Sequence, residues 1–228
     1  MHDTRNIVYH RTIAPHGVFY YASARIVLGQ GHFIEPYCLL GELPKDLYGI
    51  ELRTVIGRGC HLRSHTIIYA GNMIGDHFQT GHGVLVREHC QIGDNVSVGS
   101  CTVIEHHVMI ASNVRIHSQA FIPEFTVIRE NAWIGPNVVM TNAAYPKGRE
   151  VKTRLKGPEV KEHAIIGANA TILPGVILGR HCLVGAGSVV TRDVEDGWVV
   201  AGNPAKFIKK KSALRYRDSN ELVYDESM

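Results

Sequence analysis

Large apolar residues recur at every sixth position over much of this chain. Stepping from Ile50 gives Ile56, Leu62, Ile68, Ile74, Thr80, Val86, Ile92, Val98, Ile104, Ile110, Ile116, Ile122, Ile128, Ile134 and Met140, and only Thr80 breaks the series. Four residues after each comes a second, mostly small or β-branched set, including Thr54, Cys60, Thr66, Val84, Cys90, Val96, Thr102 and Ala120. A helix would repeat near 3.6 and a half-buried strand at two, so a strict six predicts short strands joined by turns, with two inward residues per hexad. The period returns as Val160, Ile166, Ile172, Leu178, Val184 and Val190, and a shorter stretch, Leu28, Ile34 and Leu40, precedes it. Residues 42–49 and 143–159 break the register with Pro, Gly and charge, which predicts two loops leaving a solenoid.

If three hexads close one coil, residues 18 apart stack on the same corner. One corner then carries Arg58, Asp76, Asp94, Ser112 and Glu130, flanked by His77, Asn95, Asn113 and Asn131, which suits turn chemistry because Asn tolerates a left-handed backbone and Asp closes turns. A second carries Ser64, His82, Ser100, Ser118 and Pro136, where His82 is the chemically distinct member. The third carries Ala70, Glu88, His106, Glu124 and Asn142, four consecutive proton-handling or hydrogen-bonding groups directly below the second loop. Loops on a rigid scaffold commonly hold ligands, and a carboxylate beside an imidazole tunes acid–base behaviour, so this corner is the candidate site.

Composition narrows the function. A formal charge of +3 and 7% aromatic residues do not suit a nucleic-acid reader with a stacking platform. No apolar run approaches the roughly 20 residues of a membrane helix, and no basic-then-apolar leader opens the chain, so an intracellular, cytoplasmic protein without a membrane partner is expected. Five Cys without paired spacing fit a reducing compartment. Cys38, Cys60, Cys90 and Cys182 fall at inward positions as core filler, and Cys101 has no evident base, which argues against cysteine catalysis.

The hexads Ile92-Gly-Asp-Asn-Val-Ser, Val98-Gly-Ser-Cys-Thr-Val and Ile166-Gly-Ala-Asn-Ala-Thr resemble the hexapeptide repeat of left-handed parallel β-helix acyltransferases over roughly residues 13–205. The resemblance implies an all-β, left-handed β-helix over residues 1–206, followed at 207–228 by a short helical tail, and assembly as a homotrimer with sites between subunits. The stretches 166–176, 184–194 and 200–206 resemble the coenzyme A region of these enzymes. They imply acetyl-CoA as co-substrate, with Gly167, Ala168, Gly185 and Ala186 leaving room for the pantetheine arm and Arg180, Arg192 and Lys206 meeting its phosphates. No metal is expected.

Residues 78–100, together with Met140-Thr-Asn-Ala-Ala-Tyr-Pro, are similar to a subgroup that N-acetylates amino sugars carried on a nucleotide diphosphate, usually for surface polysaccharide or glycan precursors. The resemblance places Glu124 and Asn142 at the reacting centre and makes His82 and Arg87 candidates for acceptor binding; the stacked column offers His106 as a second catalytic candidate, and Glu88 from that column and Tyr145 from the second loop join the acceptor-binding set. Ala143 stands where that subgroup usually has Asp. Other acceptors on the same fold, a hydroxyl or an amino-dicarboxylate, keep His106 as an alternative base. A γ-type carbonic anhydrase would need a third His near His82 and His117, where the chain has Ile122. A non-catalytic scaffold would leave the glycine-rich C-terminal segments to turn chemistry alone.

Overall fold

The computed structural model describes residues 9–13, 19–23, 26–44 and 52–224. The chain winds as a parallel β-helix of the left-handed class expected from the repeat, with three sheets forming the faces of a triangular prism. Most strands are two residues long, and pairing advances by one coil each time, as in Leu85↔Val103, Val103↔Phe121 and Phe121↔Val139 on the first face. Three hexads therefore make the coil. The second face runs through Met73, Gln91, Met109 and Val127, and the third through Gln79, Ser97, Arg115 and Trp133.

Both inward positions of the hexad are buried. Ile68, Ile104, Ile122, Ile134 and Met140 from the first set pack with Cys60, Val84, Cys90, Val96 and Ala120 from the second in one continuous core. Each coil buries its interior only against its neighbours, so stability is distributed along the axis. The exception, Thr80, is accommodated by a chain of hydrogen bonds: the Arg63 N–H donates to its hydroxyl at 3.1 Å, and its hydroxyl lies 2.8 Å from that of Thr66, which in turn donates to the Arg63 carbonyl at 2.7 Å. A buried hydroxyl costs little once its hydrogen bonds are made.

At the corners the fourth residue of the hexad takes a left-handed backbone, with φ of 55° at Asn95, 61° at Asn113, 57° at His107 and 63° at Phe125. Non-glycine residues carry a cost of roughly 1–2 kcal/mol there. The compensation is regular, because the N–H of that residue reaches the coil below: Asn95 to Asp76 O at 2.8 Å, Asn113 to Asp94 O at 2.9 Å, His107 to Glu88 O at 3.2 Å.

The second expected loop lengthens a coil. Val127 pairs with Glu159, 32 residues on rather than 18, so residues 143–158 form an excursion from an otherwise continuous wall. It is closed at its base by the Lys156 N–H donating to Asn142 O at 2.9 Å, and it contains a single 3-10 turn, Val151–Thr153. The earlier loop lies between Ile26 and its partner Thr54; of residues 42–49, only 42–44 are described. Towards the N-terminus, Tyr9–Ile13 pairs antiparallel with Phe19–Ser23, which joins the first face through Tyr21↔Leu39.

The C-terminal tail differs from the helix expected over 207–228. After a turn at Asn203 and Pro204, Ala205–Lys210 runs antiparallel to Trp198–Gly202, followed by a 3-10 turn at Lys211–Ala213 and an isolated bridge between Arg215 and Leu222. The reason lies in pairing. Trp198–Gly202 would otherwise be an open sheet edge, and the β-favouring Phe207 and Ile208 cover it, with the Phe207 ring 4.6 Å from that of Trp198. Residues 225–228 of that expected tail lie outside the described residues. No described helix is long and apolar enough to cross a membrane.

Candidate active site

The corner between the first and second faces brings Glu88, His106, Glu124 and Asn142 into one ascending column, as the 18-residue spacing requires. Glu124 is the hub. Its Oε1 lies 2.8 Å from His106 Nε2, one coil below, and its Oε2 accepts from Asn142 Nδ2 at 3.1 Å, one coil above. Both His106 and Glu124 side chains are about three-quarters buried, so the pair remains open to a substrate from outside. The carboxylate is gripped through both oxygens, which fixes its plane, and the excursion starts immediately above at Ala143.

Below this hub the same edge is built of ion pairs. Arg87 presents its guanidinium fork to Glu88, with Nε 2.8 Å from Oε2 and Nη2 2.9 Å from Oε1, and reaches Glu105 at 3.3 Å. It also lies over the Tyr69 ring at 5.1 Å. Glu88 is only 6% exposed. Burial is the largest influence on its carboxyl and pushes its pKa up, but the Arg87 fork, a backbone hydrogen bond and the nearby Arg87 and His106 charges together hold it below the ordinary range. Arg87 and Glu88, expected as acceptor ligands, thus neutralise each other beneath His106.

The structure adds residues to this edge. His106 Nδ1 lies 2.8 Å from His107 Nδ1, and the His107 ring packs 5.0 Å from His89 and 5.8 Å from Phe125. His107 is depressed in pKa mainly by desolvation, then by the neighbouring His106 and His89 charges, against the opposing pull of Glu88 and Glu124. Reading the fourth hexad position at 18-residue spacing, His89, His107 and Phe125, would have found this second column beside the first.

The remaining candidates occupy other edges of the same chain. His82 stands between the third and first faces, its Nδ1 3.0 Å from Ser64 Oγ and 3.7 Å from Glu35. Gly167, Ala168, Gly185 and Ala186 lie higher on that same edge. A Cβ on Gly167 would sit 2.5 Å from Ala186 N and 2.8 Å from Val184 O, so the absence of a side chain serves the close stacking of coils. Arg180 lies on the edge between the second and third faces, where it bonds Glu162 at 3.1 Å and approaches Asp196 at 3.8 Å. Arg192 returns to the Glu124 edge, several coils higher. Together with Lys206 from the C-terminal strand it lines a hollow of about 280 Å³ floored by Trp198 and Phe207. Tyr145 is 83% exposed on the excursion, beside Arg149 and Arg154. Within one chain, then, Glu124, Asn142 and His106 meet, Arg192 and Lys206 meet, and His82 and Arg180 join neither group.

The buried thiols are chemically quiet: desolvation above all pushes Cys38 and Cys60 up to about 11 and Cys90 and Cys182 up to about 12. Among the described residues no three His, Cys, Asp or Glu side chains gather as metal ligands would.

Residues 73–106 and 157–192 match the bacterial transferase hexapeptide (six repeats) family. The galactoside O-acetyltransferase of Lactococcus lactis is 32% identical over 102 residues, 43% of this chain and 47% of that protein. A 2,3,4,5-tetrahydropyridine-2,6-dicarboxylate N-acetyltransferase of Staphylococcus aureus is 50% identical over 56 residues, 25% of this chain and 23% of that protein. Among solved structures, PerB from Caulobacter crescentus, in complex with CoA and GDP-perosamine, aligns with a TM-score of 0.47 at 23% identity, over 63% of this chain and 57% of its own. The chain spans half or less of the length of the curated relatives it matches. By its repeat and its coils, the chain has the fold of a left-handed parallel β-helix built from hexapeptide repeats, two blocks of which match that family.

Proposed function

We propose that the protein is an acetyltransferase that moves the acetyl group of acetyl-CoA to the amine of a nucleotide-diphosphate-linked amino sugar. The observation that carries this reading is the Glu124 carboxylate held between Asn142 Nδ2 at 3.1 Å and His106 Nε2 at 2.8 Å, at the foot of the excursion. A free amine already attacks a thioester competently, so the protein has to align the partners and accept one proton. Glu124 takes that proton as the carbon–nitrogen bond forms. Asn142 orients the carboxylate, and a backbone N–H stabilises the oxyanion. Arg192 and Lys206 meet the coenzyme phosphates in their shared hollow, and Tyr145 on the excursion contacts the acceptor.

The Lactococcus lactis and Staphylococcus aureus relatives are named for different acceptors, and both are acetyltransferases by name. That agreement supports the reaction class, while the amino-sugar acceptor rests on the segments around residues 78–100 and 140–146. The placement of His82 away from Glu124 fits the trimeric assembly implied by the repeat, in which one chain's edge faces another's. An apolar outer groove on the second face, with Met73, Met109 and Val127, supports such an assembly. All five Cys are free thiols, which supports a cytoplasmic setting. A second reading, transfer to a hydroxyl, is favoured by the 2.8 Å imidazole–carboxylate contact, because a hydroxyl needs the stronger base that such a pair provides.

The test is thiol release from acetyl-CoA in the presence of UDP- and dTDP-linked amino sugars and their hydroxyl counterparts. Release with one amine and not with its hydroxyl analogue supports the proposal. Release with the hydroxyls alone moves the protein to the second reading, and the absence of CoA binding overturns both.

A further inference from the structure

The C-terminal tail folds back over the edge between the second and third faces. Lys211 opens the 3-10 turn that follows the strand Ala205–Lys210, its backbone N–H donating to Gly197 O at 2.8 Å. The bridge between Arg215 and Leu222 then returns the chain, and the Val223 N–H reaches Leu214 O at 3.0 Å. Tyr224 is thereby brought against Lys211, whose Nζ lies 4.1 Å from the centre of its ring. Between these two residues and the coils is a hollow of about 450 Å³, walled by Trp133 and Ile165 of the third face and by His163 and His181 of the corner. Its edge of the prism is not the one that carries Glu124 and Arg192.

The charge of Lys211 is unmatched. The residue is 6% exposed, and among the described residues no carboxylate pairs with it. Burial holds its pKa below the ordinary lysine value, against the opposing influence of Cys182. The Cys182 thiol, pushed up to about 12 mainly by its own burial, stays protonated and supplies no countercharge. The face of the Tyr224 ring attracts the ammonium but does not provide acceptors for its three N–H groups. An ammonium removed from water without an anion is costly, and an apolar residue would seal the tail onto the coils without that cost.

The rest of the wall is flat and largely apolar. The rings of His163 and His181 stack at 4.6 Å with their planes 4° apart, and Trp133 is half-buried at an outward strand position where the coil below carries Arg115. The neighbouring charges are mostly of one sign: after desolvation, His163, Lys211 and Arg180 lower the pKa of His181, with Asp196 opposing them. An aromatic lining with one convergent charge is the usual make-up of a small-molecule site. A single unpaired cation matches a single negative charge, which favours a carboxylate over a doubly charged phosphate. We propose that this hollow is a binding site for a small aromatic carboxylate, whose carboxylate accepts from Lys211 Nζ while its ring lies against the wall formed by Trp133 and Tyr224.

The probes are benzoate, benzamide and acetate, read by NMR of the indole N–H groups of the two tryptophans, Trp133 and Trp198, which a Trp133→Phe variant assigns. Benzoate should move the Trp133 signal saturably and leave that of Trp198 in place. Benzamide, with the shape but no charge, and acetate, with the charge but no ring, should each bind more weakly by roughly tenfold or more. Lys211→Met should weaken benzoate binding by roughly tenfold or more, with a melting temperature equal to or above that of the native protein. A Trp133 signal that does not move, or movement of Trp198 alone, overturns the proposal; the latter would place benzoate beside Arg192 and Lys206. Benzamide binding as tightly as benzoate, or native benzoate affinity in Lys211→Met, overturns it too. Should that variant not fold, the three probes on the native protein decide alone. If benzoate binds only after Asp225 and Glu226 are replaced by Asn and Gln, the chain's own acidic end is the occupant and a free ligand is overturned.

Discussion

Glu124 Oε1 lies 2.8 Å from His106 Nε2, although the two residues are 18 apart in sequence and each sits on its own coil. The contact exists because every coil adds one residue to the column at about the strand spacing. Asn142 completes the grip from above. Glu124→Gln keeps the shape and a hydrogen bond to either neighbour but cannot take a proton. We expect kcat for acyl transfer to drop by roughly a hundredfold or more, with KM for acetyl-CoA and the melting temperature close to those of the native protein. Steady-state thiol release and a thermal melt decide it; an unaltered kcat would remove Glu124 from the chemistry.

Much of this column was legible in the sequence because the repeat is rigid: once three hexads make a coil, Glu88, His106, Glu124 and Asn142 must align. The inward positions of Cys38, Cys60, Cys90 and Cys182 followed from the same arithmetic. What was not legible depends on side-chain reach and on departures from the repeat. Arg87 and Glu88 are adjacent in sequence, and the period gives no sign that they turn towards one another rather than towards a ligand. Arg180 bonds Glu162, a step of 18 that spacing could have exposed, yet as a lone cation it reads like a phosphate ligand. The tail escaped because nothing in 207–228 is periodic, and its strand is dictated by the unpaired edge of Trp198–Gly202.

Two glycines of the C-terminal coils should respond differently to a methyl group. At Gly167 an added Cβ meets backbone, Ala186 N at 2.5 Å and Val184 O at 2.8 Å, so adjacent coils must separate. Gly187 has φ of 68° with nothing within 4 Å of the added atom. Gly167→Ala should cost about 2 kcal/mol or more and Gly187→Ala only about 1 kcal/mol, the first from overpacking and the second from backbone strain alone. Urea unfolding of the two variants separates these, and equal losses would contradict the packing argument.

Acid should weaken the lower part of the site through Glu88. Its folded-state pKa lies below the ordinary value, so its ion pair with Arg87 stabilises the protein above about pH 4.5 and this contribution is lost as the pH falls through the depressed folded value. At pH 7, Glu88→Gln leaves the Arg87 fork with the longer Glu105 contact as its ion pair and should cost about 2 kcal/mol. The difference between native and variant stability should shrink on acidification below the ordinary carboxylate range. A difference that stays constant from pH 7 down to pH 3 would show that packing, not charge, accounts for the loss.

The cations proposed for coenzyme binding can be told apart by their partners. Arg192 and Lys206 come from different segments, a corner of the last coils and the antiparallel C-terminal strand, yet line one hollow with Trp198 and Phe207. Arg180 stands on another edge, with Glu162 at 3.1 Å and Asp196 at 3.8 Å already competing for its guanidinium. A cation committed to two carboxylates has less to offer a phosphate, and its removal acts on coil packing first. Replacing Arg192 or Lys206 by Ala should therefore weaken CoA binding by roughly tenfold or more, in keeping with the roughly 1.5–3 kcal/mol that a hydrogen bond to a charged group contributes, and the effect should diminish in high salt. Arg180→Ala should leave CoA affinity within about twofold, because the lost contacts are internal. Isothermal titration with CoA reads all three variants directly. If Arg180→Ala proved the most damaging, the coenzyme would have to follow a different edge of the prism, one reached from a second subunit.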